Sequence, residues 1–177
     1  MEKKVENLRG HYIVCGPDGV GRYILEELTA TGRPHVLVAG DDEEEEVAKL
    51  VESFQGLLYI KGDASDGDTL AKAGVSHAGG LFAVTKDENL NLVISLTARQ
   101  AKADLKVIAS CENMKNADKI KAAGASAVIS PSFIGGLRMA SEMLRPSVVS
   151  FLDTMLRHDD SDLRIEELVV SEAFAGK

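Results

Sequence analysis

Four short stretches carry the residues whose types and spacing could do chemistry. The first is Gly16-Pro-Asp-Gly-Val-Gly21, directly after the run Tyr12–Cys15. Gly16 and Gly21 take the outer positions of G-x-G-x-x-G, the turn that seats a pyrophosphate on a helix N-terminus. Asp18 holds the middle position, where bare backbone should approach the phosphate. The other stretches are Gly40-Asp41-Asp42, Gly62-Asp63-Ala64 and Thr85-Lys86-Asp87. Acids and hydroxyls at such places suit an adenine nucleotide. The expected contacts are Gly16, Asp18, Gly19, Val20 and Gly21 of the turn, with Asp41, Asp42, Asp63, Ala64, Thr85 and Asp87 around it.

Plainer roles compete with these. Asp63 can accept from an adenine amino group or a ribose hydroxyl, or it can cap the short helix after it. Asp41 or Asp42 can cap the next helix, with the acids through Glu46 in a first turn that the helix dipole favours. That reading outweighs a metal site on Asp41, Asp42 and Glu43. A ribose-reading acid belongs at the end of the second strand, and Gly40 stands there instead.

The elements that must position these residues can be read from apolar runs and breakers. Strands are expected at Tyr12–Cys15, His35–Ala39, Leu57–Ile60, Leu81–Val84, Lys106–Ala109 and Ala127–Ile129. Helices lie between them, the first carrying Val20, Ile24, Leu25 and Leu28 at helical spacing. Strands this short and this apolar imply a parallel sheet covered on both faces. The fold class is therefore α/β: a Rossmann-like, doubly wound parallel sheet of six strands over residues 10–131. Residues 132–160 read as helices apolar on more than one face, which need a further surface to cover them. Residues 161–177 hold an alternating strand signal, Leu163–Val170, with nothing left to pair with.

Composition narrows the function. The chain has 177 residues and a formal charge of −8, which argues against nucleic acid and anionic membrane as partners. Cys15 and Cys111 give no disulfide framework and read as buried thiols in a reducing cytosol. No apolar run approaches the ~18 residues of a membrane span. The four histidines (His11, His35, His77 and His158) are scattered, and no nucleophile sits beside a base in a catalytic motif. The chain is expected to be a binding module rather than an enzyme. The competing class is an NAD-dependent oxidoreductase fragment whose catalytic domain lies elsewhere.

Further motifs carry a family resemblance. They are His11-Tyr-Ile-Val-Cys-Gly16, Gly62-Asp63-Ala64-Ser65, Leu70-Ala-Lys-Ala-Gly74, Thr85-x-Asp87-x-x-x-Asn91 and Ala123-Gly-Ala-Ser-Ala-Val-Ile-Ser-Pro131. The most specific is Ile134-Gly-Gly-Leu-Arg-Met-Ala-Ser-Glu-Met-Leu-Arg-Pro146, running into Phe151-Leu-Asp153. The chain resembles the RCK (KTN or TrkA-N type) domain, the cytosolic regulator of potassium channels and of Trk- and Ktr-type potassium uptake systems. Ser110-Cys111 and the lead-in Val5–His11 are more similar to the channel branch. The resemblance implies a regulatory domain on the cytoplasmic side of the cell membrane. It implies that residues 1–10 link to a pore region and that 132–160 form a homodimer that assembles into a gating ring. It also implies that 161–177 begin a truncated C-terminal lobe. Family ligands are NAD(H), ATP, ADP, AMP and, in some channels, calcium. Gly16, Gly21, Asp63, Thr85 and Asn91 match the family's site positions, whereas Asp18 and Gly40 depart from them.

Overall fold

A computed structural model gives the structure of the protein over residues 5–146. The expected helix and strand signals beyond Pro146, with Leu152, Met155 and Leu163–Val170, lie outside the described residues. The strands are β1 (Tyr12–Cys15), β2 (His35–Ala39), β3 (Tyr59–Lys61), β4 (Gly80–Ala83), β5 (Lys106–Ser110) and β6 (Ala127–Ile129). The helices are α1 (Val20–Ala30), α2 (Glu44–Ser53), α3 (Gly67–Lys72), α4 (Glu88–Ala101), α5 (Ala117–Ala122) and α6 (Pro131–Leu144). All pairings are parallel and the strand order is β3-β2-β1-β4-β5-β6. The expected Rossmann-like sheet is thus observed. The chain divides into two compact units, Met1–Ser132 and Phe133–Lys177.

Side chains alternate across each strand, so an apolar run supplies both faces of the sheet. Val14, Leu37 and Ala39 point to one face, where Leu25 and Leu28 of α1 and Val47 and Leu50 of α2 cover them. Ile13, Cys15, Val36, Val38 and Leu81 point to the other, under Leu70 of α3 and Ile94 and Ala98 of α4. Each fully buried leucine or isoleucine in these layers contributes roughly 1.5–3 kcal/mol. Helices on both faces oblige the chain to cross the sheet between β1 and β4, and their C-terminal ends diverge there. That divergence opens a crevice.

Tertiary register moves some boundaries. β4 starts at Gly80, one residue before the expected Leu81, because Tyr12 of β1 pairs with Gly80. β3 runs Tyr59–Lys61, since its partner β2 offers Leu37 to Ala39. Among the described residues before β1, Val5 is fully buried in the core and Leu8 packs against it. The Gly10 N–H donates to the His77 carbonyl at 2.8 Å.

His11 fixes that lower edge. It is fully buried, and its Nε2–H donates to the Ala73 carbonyl at 2.8 Å. Nδ1 is buried without a hydrogen-bond partner. Burial pushes its pKa below the ordinary 6.5, helped by the nearby His77 and Arg9 charges, although the Ala73 bond opposes this. Between pH 6.5 and the lowered native value, the unfolded chain takes the proton and the folded one does not. Stability present above pH ~6.5 is therefore lost as pH falls, by at most ~1.4 kcal/mol per pH unit.

Two outcomes are expected. In urea denaturation at pH 7.5 and 5.5, His11→Gln should lose less stability on acidification than the parent; equal losses would contradict the assignment. Gly21→Ala should cost roughly 2–3 kcal/mol, since a Cβ there would lie 1.9 Å from the Gly16 carbonyl oxygen and the turn must yield.

Candidate functional site

The crevice is built from the turn after β1. Gly16 has φ 111°, and a Cβ on it would lie 2.9 Å from the Val84 carbonyl oxygen and 3.0 Å from Thr85 Cα. Its backbone therefore lies directly against the end of β4. The turn closes with the Gly21 N–H donating to the Asp18 carbonyl at 2.8 Å. Gly19 is the N-cap of α1 with φ 45° and ψ −101°, a conformation that favours glycine. The turn thus has positive φ at Gly16 and at Gly19, the latter one place after the expected middle position.

Asp18 does not cap α1, which has no side-chain cap. Instead, its Oδ2 lies 2.5 Å from Lys86 Nζ. This oxygen is shielded from solvent and makes no well-angled hydrogen bond, so the contact is an ion pair. The Asp18 carboxylate in turn holds the Lys86 ammonium pKa above its ordinary value. The pair bridges the first turn and the β4–α4 loop across the crevice.

Two cavities meet at this bridge, both touching Gly16, Asp18, Glu43, Thr85 and Lys86. One, of about 450 Å³, lies toward β2, with Val38, Ala64 and Leu90 as its apolar lining and with the acids Asp41, Asp42, Glu43, Glu46, Asp63 and Asp87. The other, of about 390 Å³, extends toward β5 and touches Val20, Val84, Glu88, Ser110, Cys111 and Ser132. Gly19 touches this second cavity, and Gly21 lies buried behind the turn.

Several expected contacts are engaged by the protein itself. Asn91 is buried, and its Oδ1 accepts from the Thr85 N–H at 2.9 Å and the Thr85 hydroxyl at 2.7 Å. Its Nδ2 donates to the Thr85 carbonyl and to the Ser110 carbonyl and hydroxyl at 3.0–3.2 Å. Asn91 therefore ties the ends of β4 and β5 together and presents Thr85. Asp87 is the N-cap of α4, accepting from the Asn89 N–H at 2.8 Å. Asp63 Oδ1 accepts from the Ser65 N–H at 2.8 Å and the Ser65 hydroxyl at 2.7 Å, fixing its own turn. The cap of α3 is Asp66, not Asp63, because Asp66 reaches the Asp68 N–H at 3.1 Å.

The acidic corner also departs from expectation. Neither Asp41 nor Asp42 caps the next helix. Gly40 is the N-cap of a 3₁₀ turn over Asp41–Glu43, and Glu43 Oε2 accepts from the Gly40 N–H at 2.7 Å. Asp41 turns toward Lys61 at 3.5 Å, and Lys61 also pairs with Glu44. Asp41, Asp42 and Glu43 thus fail to converge as a ligand set. Among the described residues, no group of three or more His, Cys, Asp or Glu could hold a metal ion. Burial pushes the Glu43 carboxyl up, as do the Asp42 and Asp18 charges, against the Gly40 bond and Lys86.

Lys86, Glu43 and Glu88 were not among the expected nucleotide contacts. Glu88 accepts from the Glu112 and Asn113 N–H groups at 3.1 Å and from Asn116 Nδ2 at 2.5 Å. The Asn113 bond leads in holding its carboxyl below the ordinary range. Only Glu43 had a local signal: acid at the third position after a turn's first residue is capping-box spacing. Lys86 and Glu88 find their partners across the sheet, and the sequence carries no mark of that.

The TrkA-N domain family matches residues 12–131. Probable potassium channel protein 2 of Methanocaldococcus jannaschii is 32% identical over 178 residues, covering 97% of this chain and 51% of that protein. The chain therefore spans about half the length of this relative. The TrkA-N domain of the inner membrane protein ybaL from Escherichia coli superposes with a TM-score of 0.67 at 23% identity, covering 80% of this chain and 98% of that one. The GsuK channel bound to NAD does so with a TM-score of 0.62 at 23% identity, covering 78% and 24%. At such identities the two structures speak for the fold. With the family match across β1 to β6 and the RCK-like motifs in place, this chain belongs to the TrkA-N domain family.

Proposed function

We propose that the chain is the ligand-sensing regulatory domain of a potassium channel, on the cytoplasmic side of the membrane. An adenine nucleotide in the crevice would bias the geometry of a homodimer within a gating ring, and the ring would pull on the pore. The observation that carries this reading is the two-lobed crevice meeting at the β1–β4 divergence. The β2-side lobe offers Val38, Ala64 and Leu90 to a base, and the NAD-bound GsuK neighbour shares the fold. The resemblance of the chain to a channel protein favours a channel over a Trk- or Ktr-type uptake system. A ligand drives such a device only through its different affinities for the two dimer geometries.

The crevice is a binding site rather than a catalytic one in this reading. Calorimetry of the chain against AMP, ADP, ATP, NAD, NADH and Ca²⁺ tests it. Micromolar binding of an adenine nucleotide is expected; binding of calcium alone, or of none, would overturn it. Steady NADH consumption with carbonyl substrates would favour an oxidoreductase fragment.

The Asp18–Lys86 pair makes the phosphate region nearly neutral. Like charges ~4 Å apart repel by about 4 kcal/mol at an effective dielectric near 20, before screening, so Asp18 works against each added phosphate. Asp18→Asn should bind ADP about tenfold more tightly, a gain of ~1.4 kcal/mol, with adenosine affinity nearly unchanged. An equal gain for both ligands in calorimetry would place Asp18 away from the phosphates.

Self-association is assigned to α6, where Ile134, Leu137, Met139, Met143 and Leu144 are all more than half exposed. Apolar side chains exposed on more than one face of a helix call for a covering surface. Leu137→Asp with Met143→Asp should give a monomer in sedimentation equilibrium where the parent is a dimer. A dimer of unchanged strength would remove α6 from the interface.

A further inference from the structure

We propose that Glu43 reads the ribose of the bound nucleotide, its carboxylate accepting the ribose hydroxyls in place of a side chain at Gly40. This deepens the adenine-nucleotide reading above and rests on it.

The end of β2 is where such a fold places an acid for the ribose, and Gly40 has no side chain to offer. The surrounding space is nevertheless filled by carboxylates. A Cβ at Gly40 would lie 2.7 Å from Asp42 Oδ1 and 3.6 Å from Glu43 Oε2. The 3₁₀ turn over Asp41–Glu43 folds the chain back, and the Gly40 N–H pins Glu43 Oε2 at 2.7 Å. An acid three residues downstream is thereby held at the strand end. The pinning bond engages Oε2 alone; among the described residues no donor is bonded to Oε1, which stays available as an acceptor.

Position supports the same role. Glu43 touches both lobes of the crevice, and it shares them with Gly16 and Thr85. A ribose lies between a base in one lobe and phosphates at the glycine turn, so it meets this junction. Asp42 lines only the β2-side lobe, and Asp41 is drawn off toward Lys61. Of the three acids, Glu43 alone is fixed, central and left with an acceptor. The raised carboxyl pKa, caused mainly by burial, fits a partly dehydrated group that gains from hydroxyl donors.

The test compares AMP with 2′-deoxy-AMP on the parent chain and on Glu43→Ala, by calorimetry, with Glu43→Gln as a second variant should the first fail to fold. A hydrogen bond from a hydroxyl to a carboxylate sets the expected discrimination. The parent should bind AMP about tenfold more tightly than 2′-deoxy-AMP, and Glu43→Ala should reduce that ratio to about one. Glu43→Gln, which keeps an acceptor without its charge, should fall between them. If Glu43 only braced the turn, the variant would weaken both nucleotides equally and leave the ratio intact, which overturns the proposal. Equal binding of both nucleotides by the parent also overturns it while sparing the nucleotide reading. Failure of the parent to bind either nucleotide brings down both.

Discussion

The structure depends on one close approach: the backbone of Gly16 against the end of β4. β1 and β4 are adjacent in the sheet, although two strands and three helices intervene in sequence. At their ends the chain must turn in opposite directions to cover both faces. With no side chain at Gly16, β1 can leave the sheet within van der Waals contact of Val84 and Thr85. The same turn brings Gly21 so near the Gly16 carbonyl that α1 starts directly beneath it. A side chain at either place would push α1 away from Val14 and Leu37, and the crevice would lose its wall.

The second constraint is electrostatic. The crevice carries far more acids than bases, yet the molecule engages most of them internally. Asp87 caps α4, Asp63 holds a turn, Glu88 clamps the β5–α5 loop, and Asp18 is neutralised by Lys86. Hydrogen bonds to N–H groups and an ion pair offset the repulsion that these facing carboxylates would otherwise produce. What remains for a ligand is a narrow choice of acceptors beside two apolar patches.

Asn91 shows how packing gives a motif residue a structural task. Its spacing from Thr85 is legible in the chain, and both residues do meet. All its hydrogen-bonding capacity then goes to Thr85 and Ser110. The side chain joins two neighbouring strand ends and thereby sets the shape of the cavity toward β5. Asn91 also lines that cavity, so one side chain both shapes the site and borders it.

The sequence by itself determined the α/β class, β1, β2 and β6 to the residue, and the glycine turn that opens the crevice. Those features are local: apolar runs with β-branched residues, and glycines where a backbone must approach closely, are written in consecutive positions. It also placed Asp18 and Gly40 as departures from the usual turn and strand end. Where Asp18 points, that Asp66 rather than Asp63 caps α3, and that Glu43 returns to the end of β2 were decided by the fold. Each of those outcomes depends on a partner's position: Lys86 across the crevice, a helix start three residues later, a 3₁₀ turn instead of a full helical one. An acid has the same letter in the sequence whether it caps a helix, pairs with a lysine or faces a ligand. Only the tertiary structure brings in the donor that chooses among those roles.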